Sequence, residues 1–140
     1  MYTNILHATD LGHNHFELSK KAAEIANIFH ATLHLIFILE TPTSLQIAQG
    51  LGFAEFDRPV KDEAQAVIAT LGEALGVPPE QQYIEIGSAK HQILSKALEI
   101  NSDLIIIGSH TPSSLPAILG STAHAVTHQS SCDVLTLKAK

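Results

Sequence analysis

The chain has 140 residues, enough for one hydrophobic core and too few for two, so it reads as a single domain over residues 1–140. Hydrophobic residues make up 45% of it, which argues against disorder, while 8 Lys and Arg against 14 Asp and Glu leave a net charge of −6. That acidic balance, without a basic cluster, argues against a nucleic-acid partner, and no apolar run approaches the roughly 20 residues of a membrane helix.

Met1-Tyr2-Thr3-Asn4-Ile5-Leu6 has neither a basic start nor a small-residue cleavage site, and reads as a first strand rather than a signal peptide. A lone cysteine, Cys132, permits no internal disulfide. Together these features predict a cytoplasmic protein. The nine histidines would offset much of the charge near pH 6.

Asn4 to Thr9 is the first predicted strand, ending at Asp10. Phe16, Leu18, Ala22, Ile25, Ala26 and Phe29 then recur at helical spacing. Thr32 to Leu39 is nearly all apolar, as a strand buried on both faces should be. Glu40 to Arg58 is a looser connection in which Leu45 to Ala48 suits a short helix. Pro59 then suits a first helical turn, Ala64, Val67, Ile68, Leu71 and Leu75 form a helical face, and Gly76 ends it. Gln82 to Ile86 is a short strand closed by Gly87, followed by a helix with Ile93, Leu94, Ala97 and Leu98 on its face. Asp103 opens a strand through Ile107, Gly108 closes it, and a loop with Pro112 and Pro116 leads to Gly120-Ser121. A helix through Ala123 and Val126 and a last strand, Val134 to Leu137, complete the chain. Five strands alternating with four helices predict an α/β fold: an open parallel sheet with helices on both faces.

In such sheets ligands bind outside the carboxyl ends of the strands. Asp10-Leu11-Gly12, Gly87-Ser88-Ala89 and Gly108-Ser109-His110 all end a strand and open a loop. At Gly120-Ser121 a helix begins with unpaired N–H groups, a glycine that admits close approach and a hydroxyl donor, which suits phosphate. Equally, Ser121 could simply cap the helix, and Asp10 could order its loop rather than touch a ligand. His13 and His15, with His7 nearby, suggest a transition-metal site, but His-x-His needs a third ligand and no Cys pair or acidic partner has motif spacing. His124 and His128 stand four apart, but Ala125 occupies the place of the metalloprotease glutamate. Cys132 reads as a small buried side chain.

Three stretches resemble the universal stress protein family. They are Ile5-Leu6-His7-Ala8-Thr9-Asp10; Gly87 with Ser102-Asp103-Leu104-Ile105-Ile106-Ile107-Gly108-Ser109; and Leu119-Gly120-Ser121-Thr122-Ala123 with His128 and Cys132-Asp133-Val134-Leu135. The resemblance implies a Rossmann-like fold of the adenine nucleotide alpha hydrolase type, with strand order 3-2-1-4-5. It also implies a homodimer paired through the last strand, a role in stress response, and in some members ATP or another adenine nucleotide bound with Mg²⁺. The signature of those members is Gly, two residues, Gly, nine residues, Gly and Ser or Thr. Gly108 matches its start and Gly120-Ser121-Thr122 its end, but Thr111 replaces the middle glycine and only eight residues separate it from Gly120. Asp10 matches the acidic residue after the first strand, and Phe37 the position lining the adenine pocket. The resemblance thus predicts a nucleotide-sensing or partner-binding module. The alternatives are a slow Mg-dependent ATPase and a dimeric interaction protein without a nucleotide. No Lys or Arg occurs from Ala97 to Leu137 to neutralise a triphosphate.

Overall fold

In the computed structural model, strand β1 (Asn4–Ala8) is the middle of a five-stranded sheet in the order β3-β2-β1-β4-β5. The structure describes residues 1–11, 14–40, 58–109 and 120–138. After β1 come α1 (His15–Phe29), β2 (Thr32–Leu39), α2 (Arg58–Leu75), a 3-10 turn (Pro79–Gln81) and β3 (Gln82–Ile86). Then follow α3 (Ala89–Glu99), β4 (Leu104–Gly108), α4 (Ser121–Gln129) and β5 (Asp133–Leu137). Every pairing is parallel; β1 aligns Ile5 with Leu33 on one side and with Leu104 on the other. The predicted sheet and its order are therefore the observed ones.

The run of apolar residues in the central strands follows from their burial on both faces. Ile5, Leu35 and Ile106 point to one side, where Ala22 and Ala26 of α1 and Ile68 and Leu71 of α2 meet them. Leu6, Ile36, Ile105 and Ile107 point to the other, against Ile93 and Ala97 of α3 and Ala123 and Val126 of α4. Each of the fully buried aliphatic side chains contributes roughly 2 to 3 kcal/mol of hydrophobic stabilisation. Ser19, Ala22 and Ala26 are the buried residues of α1, and small side chains there let the helix lie close to the sheet.

Helix edges differ from the sequence expectation in detail. Phe16 is 52% exposed, Leu98 67% and Val67 37%, although each was expected on an inward face. Leu98 and Val67 lie one residue, about 100° of rotation, from the buried Ala97 and Ile68, and Phe16 lies off the line of Ser19, Ala22 and Ala26. Cys132 is half-buried rather than buried.

Two polar clusters fix the packing. The Asp103 carboxylate accepts from the backbone N–H groups of Thr3 (2.8 Å) and Asn4 (3.1 Å) and from the Thr3 hydroxyl (3.0 Å), so the start of β4 holds the start of β1. Partial burial pushes the Asp103 pKa up, but these donors outweigh it and hold the carboxyl below its ordinary value. On α3, Lys96 is only 8% exposed. Its Nζ lies 4.4 Å from the Tyr83 ring centroid, 3.4 Å from Glu85 and 3.0 Å from Glu99. Burial works against its charge, yet the two glutamates prevail and raise its pKa. Among the described residues, no helix is long and apolar enough to cross a membrane.

Candidate functional site

From β1 the chain runs outward through β2 to β3, then returns to place β4 and β5 on the other side. A crevice opens at the carboxyl ends of β1 and β4, where this order reverses. It holds a cleft of about 420 Å³, within the range of small-molecule sites. The ends of β1, β2 and β4 and the first turns of α1, α3 and α4 surround it. Asp10, Phe37, Gly108, Gly120, Ser121 and Thr122, singled out from the sequence, all line this one cleft. Thr111, with the prolines 112 and 116, falls outside the described residues, as do Gly12, His13 and the expected short helix at 45–48.

Three helix N-termini reach the cleft, those of α1 at Asn14 and His15, of α3 and of α4, and the last two are treated differently. Gly120 occupies the cap position of α4 with φ −59° and ψ 153°, and no side chain caps the helix. Ser121 is the first helical residue, so it is not the cap that one reading made of it; a cap precedes the helix with non-helical dihedrals, and that place is Gly120's. At α3, Ser88 holds the cap position without a side-chain bond. There Glu40 Oε1 accepts a hydrogen bond from the Ala89 N–H at 3.1 Å, placing a carboxylate at the positive end of the helix.

The strand ends are shaped for close approach. A Cβ on Gly108 would lie 2.9 Å from Leu18 Cδ1, so α1 packs against bare backbone at this rim. Gly87, with φ +137°, turns the chain from β3 toward α3. Leu11, next to Asp10, holds a left-handed φ of 53°, and its N–H bonds Thr9 Oγ1 at 3.1 Å. Such a conformation costs a non-glycine residue on the order of 1 kcal/mol, and backbone strain of this kind collects at binding loops.

His7 stands at the floor of the cleft and is 1% exposed. Its Nδ1 lies 3.0 Å from the Ile106 carbonyl oxygen and its Nε2 3.0 Å from Ser19 Oγ. A carbonyl only accepts, so Nδ1 carries the proton and Nε2 accepts from the serine hydroxyl. Burial lowers the His7 pKa to about 4, against smaller upward pulls from the Ile106 carbonyl and the Asp10 charge. Both ring nitrogens are thus engaged within the protein, which removes His7 from the histidine cluster weighed as a metal site. The rings of His124 and His128 stack with centroids 6.0 Å apart on the exposed side of α4. Among the described residues, no group of three or more His, Cys, Asp or Glu is placed to hold a metal ion.

The sequence reading missed Glu40. Its signal is slight: an acidic residue directly after the carboxyl end of a buried strand. The engagement of His7 by Ser19 carries no motif, because it joins a strand to a helix through packing alone.

The family model described as "Universal stress protein family" matches residues 1–138. Universal stress protein A homolog 1 of Coxiella burnetii is 33% identical over 99% of this chain and 98% of its own length. The chain belongs to the universal stress protein family. Among solved structures of this family, the universal stress protein UspA from Lactobacillus plantarum superposes with a TM-score of 0.77 at 21% identity, covering 97% of each chain. A universal stress protein solved in complex with cAMP superposes with a TM-score of 0.70 at 17% identity, covering 98% of this chain and 97% of that one. At these identities the two structures establish a shared universal stress protein fold.

Proposed function

We propose that this universal stress protein binds an adenine nucleotide in the cleft and acts in stress response as a cytoplasmic homodimer, passing the bound state to protein partners. The observation that carries the reading is the first turn of α4. It opens into the cleft at the reversal of strand order, with glycine at its cap and the hydroxyl residues Ser121 and Thr122 following. Backbone N–H groups and a helix dipole in that position suit a phosphate. Phe37, Ile38 and Ile93 supply apolar surface for a purine in the same cleft. Asp10 and the hydroxyl groups would face the polar part of the ligand, with Mg²⁺ bridging a carboxylate to phosphate if a polyphosphate entered. That a protein of the same fold was solved with cAMP supports a nucleotide as the ligand class.

Pairing through the last strand is supported by its edge position. Among the described residues β5 pairs only with β4, which leaves one backbone edge open, and Leu135 is 36% exposed on it. A two-fold pairing of β5 with its copy would satisfy that edge. A second reading, a dimeric interaction protein without a ligand, is favoured by Thr111 standing where the family's nucleotide signature has glycine.

Calorimetric titration of nucleotide-stripped protein with AMP, ADP and ATP tests the proposal. Micromolar binding that weakens in Ser121→Ala supports it. No heat up to millimolar nucleotide would leave the interaction protein.

A further inference from the structure

We infer that His124 and His128 form a two-histidine site for a divalent transition-metal ion, of the copper, nickel and zinc class, on the exposed face of α4.

Helical geometry sets the pair up. Residues four apart lie one above the other on a helix, about 6 Å apart along its axis. Ala123 and Val126 turn into the core, which leaves His124 and His128 together on the opposite, exposed side. Their rings stand side by side, 9° from parallel, with centroids 6.0 Å apart. A tetrahedral ion with metal–nitrogen bonds of about 2.0 to 2.1 Å holds two imidazole centroids about 5 Å apart. The closure needed is therefore about 1 Å, which small rotations about the side-chain bonds of two exposed residues supply.

Other histidines of the chain spend ring nitrogens on the protein. His7 spends both, on Ile106 and Ser19, and His34 Nδ1 lies 3.0 Å from the Tyr83 hydroxyl. Among the described residues neither His124 nor His128 has a side-chain hydrogen bond or an ion pair, and their ring contact is with each other. A neutral imidazole offers one nitrogen lone pair, a donor that suits copper, nickel and zinc, whereas magnesium and calcium take oxygen.

The charge around α4 suits a cation. The sequence has no lysine or arginine between Lys96 and Lys138, a stretch that includes all of α4 and β5, and the chain's net charge is −6. His128 lies in the last turn of α4, at the negative end of the helix dipole. Two protein ligands fall short of the three or four that hold a catalytic or structural zinc, so water or a donor from outside completes the coordination. Neither histidine lines the cleft, which keeps the metal away from the proposed nucleotide site.

The test is titration of the full chain with Cu²⁺, Ni²⁺, Zn²⁺ and Mg²⁺ at neutral pH, on wild type, His124→Ala, His128→Ala and His91→Ala. Calorimetry gives affinity, and paramagnetic broadening of the histidine ring signals by Cu²⁺ in NMR gives the place. His91 is a single exposed histidine on α3 and serves as the control. Cu²⁺ should bind more tightly than Ni²⁺ or Zn²⁺, Mg²⁺ should give no heat with any of the proteins, and the His124 and His128 rings should broaden first. Loss of either α4 histidine should weaken the first Cu²⁺ site at least about tenfold, because the second ligand no longer closes a chelate. His91→Ala should leave that site unchanged. Equal affinity in wild type and both α4 variants, or broadening that begins at another histidine, would overturn the assignment to this pair. Absence of binding by Cu²⁺, Ni²⁺ and Zn²⁺ in wild type would overturn the site outright. Alanine suits an exposed helical position, and the broadening experiment on wild type stands even if a variant folds poorly.

Discussion

Lowering the pH should weaken this protein through His7 in particular. The folded chain holds the imidazole neutral with a pKa of about 4, against 6.5 for a free histidine. The unfolded state therefore takes up a proton in a window where the folded state does not. Stability attached to His7 is fully present above pH 6.5 and is lost as the pH falls toward 4. The full difference is about 3 kcal/mol, at roughly 1.4 kcal/mol per pKa unit, of which about 2 kcal/mol falls between pH ~7.5 and pH ~5. Urea unfolding of wild type and His7→Gln at those two pH values isolates the term, because the other titrating groups are common to both. Glutamine leaves the variant less stable throughout, since one of the two bonds to Ile106 and Ser19 is lost, but its pH slope should be shallower by about 2 kcal/mol. NMR titration of the His7 ring in wild type provides the direct check. Parallel pH dependence in the two proteins, or a ring that protonates near pH 6.5, would refute the reasoning.

Ser121→Asp puts a carboxylate at the first turn of α4, where it should add about 0.5 to 1 kcal/mol of stability while lowering AMP affinity at least about tenfold. Unchanged affinity by calorimetry would remove α4 from the site. Gly108→Val should destabilise by about 1 to 3 kcal/mol, since its Cβ falls 2.9 Å from Leu18 Cδ1, and thermal denaturation measures it. Asp103→Ala, which strips the N–H groups of Thr3 and Asn4 of their acceptor, should cost about 1 to 3 kcal/mol near neutral pH. Because the Asp103 pKa is held down, that cost should fade as the pH drops through and below the usual carboxylate range. Leu135→Lys at the β5 edge should shift sedimentation toward monomer; an unchanged dimer would place the interface elsewhere.

Much of the sheet was legible because buried parallel strands write themselves as apolar runs, and Leu104 to Ile107 between Asp103 and Gly108 admits little else. Gly76 and Gly87 were legible as stops, and both take positive φ. Asp10, Gly108, Gly120 and Ser121 were legible as strand ends and a helix start, whereas Phe37 and Thr122 came from the family resemblance, and all six line the cleft. What stayed hidden depends on contacts between distant segments. Glu40 reaches the Ala89 N–H across 49 residues, and Asp103 reaches Thr3 across 100. Nothing in the local pattern at either position tells a carboxylate bonded to distant backbone N–H groups from a solvated one. Helix faces were legible only to within one residue, and Val67 and Leu98 show the error, because neighbours on a helix differ by about 100° whatever their hydrophobicity.

The position of β1 has a consequence for how the protein is made. It is the first of the five strands in chain order and the innermost in the sheet, and its partner on one side, β4, begins at Leu104. A nascent chain that stops short of Leu104 can cover β1 with β2 alone, leaving the far edge of Ile5, Leu6 and His7 without a neighbour. Among the described residues no hairpin offers an early local nucleus, because each strand pairing there is parallel and waits on a crossover. Closure of so wide a loop before its contacts are rewarded makes folding slow and late. A ribosome must therefore deliver more than two-thirds of this chain before its centre can close, and until then β1 has β2 alone for a neighbour.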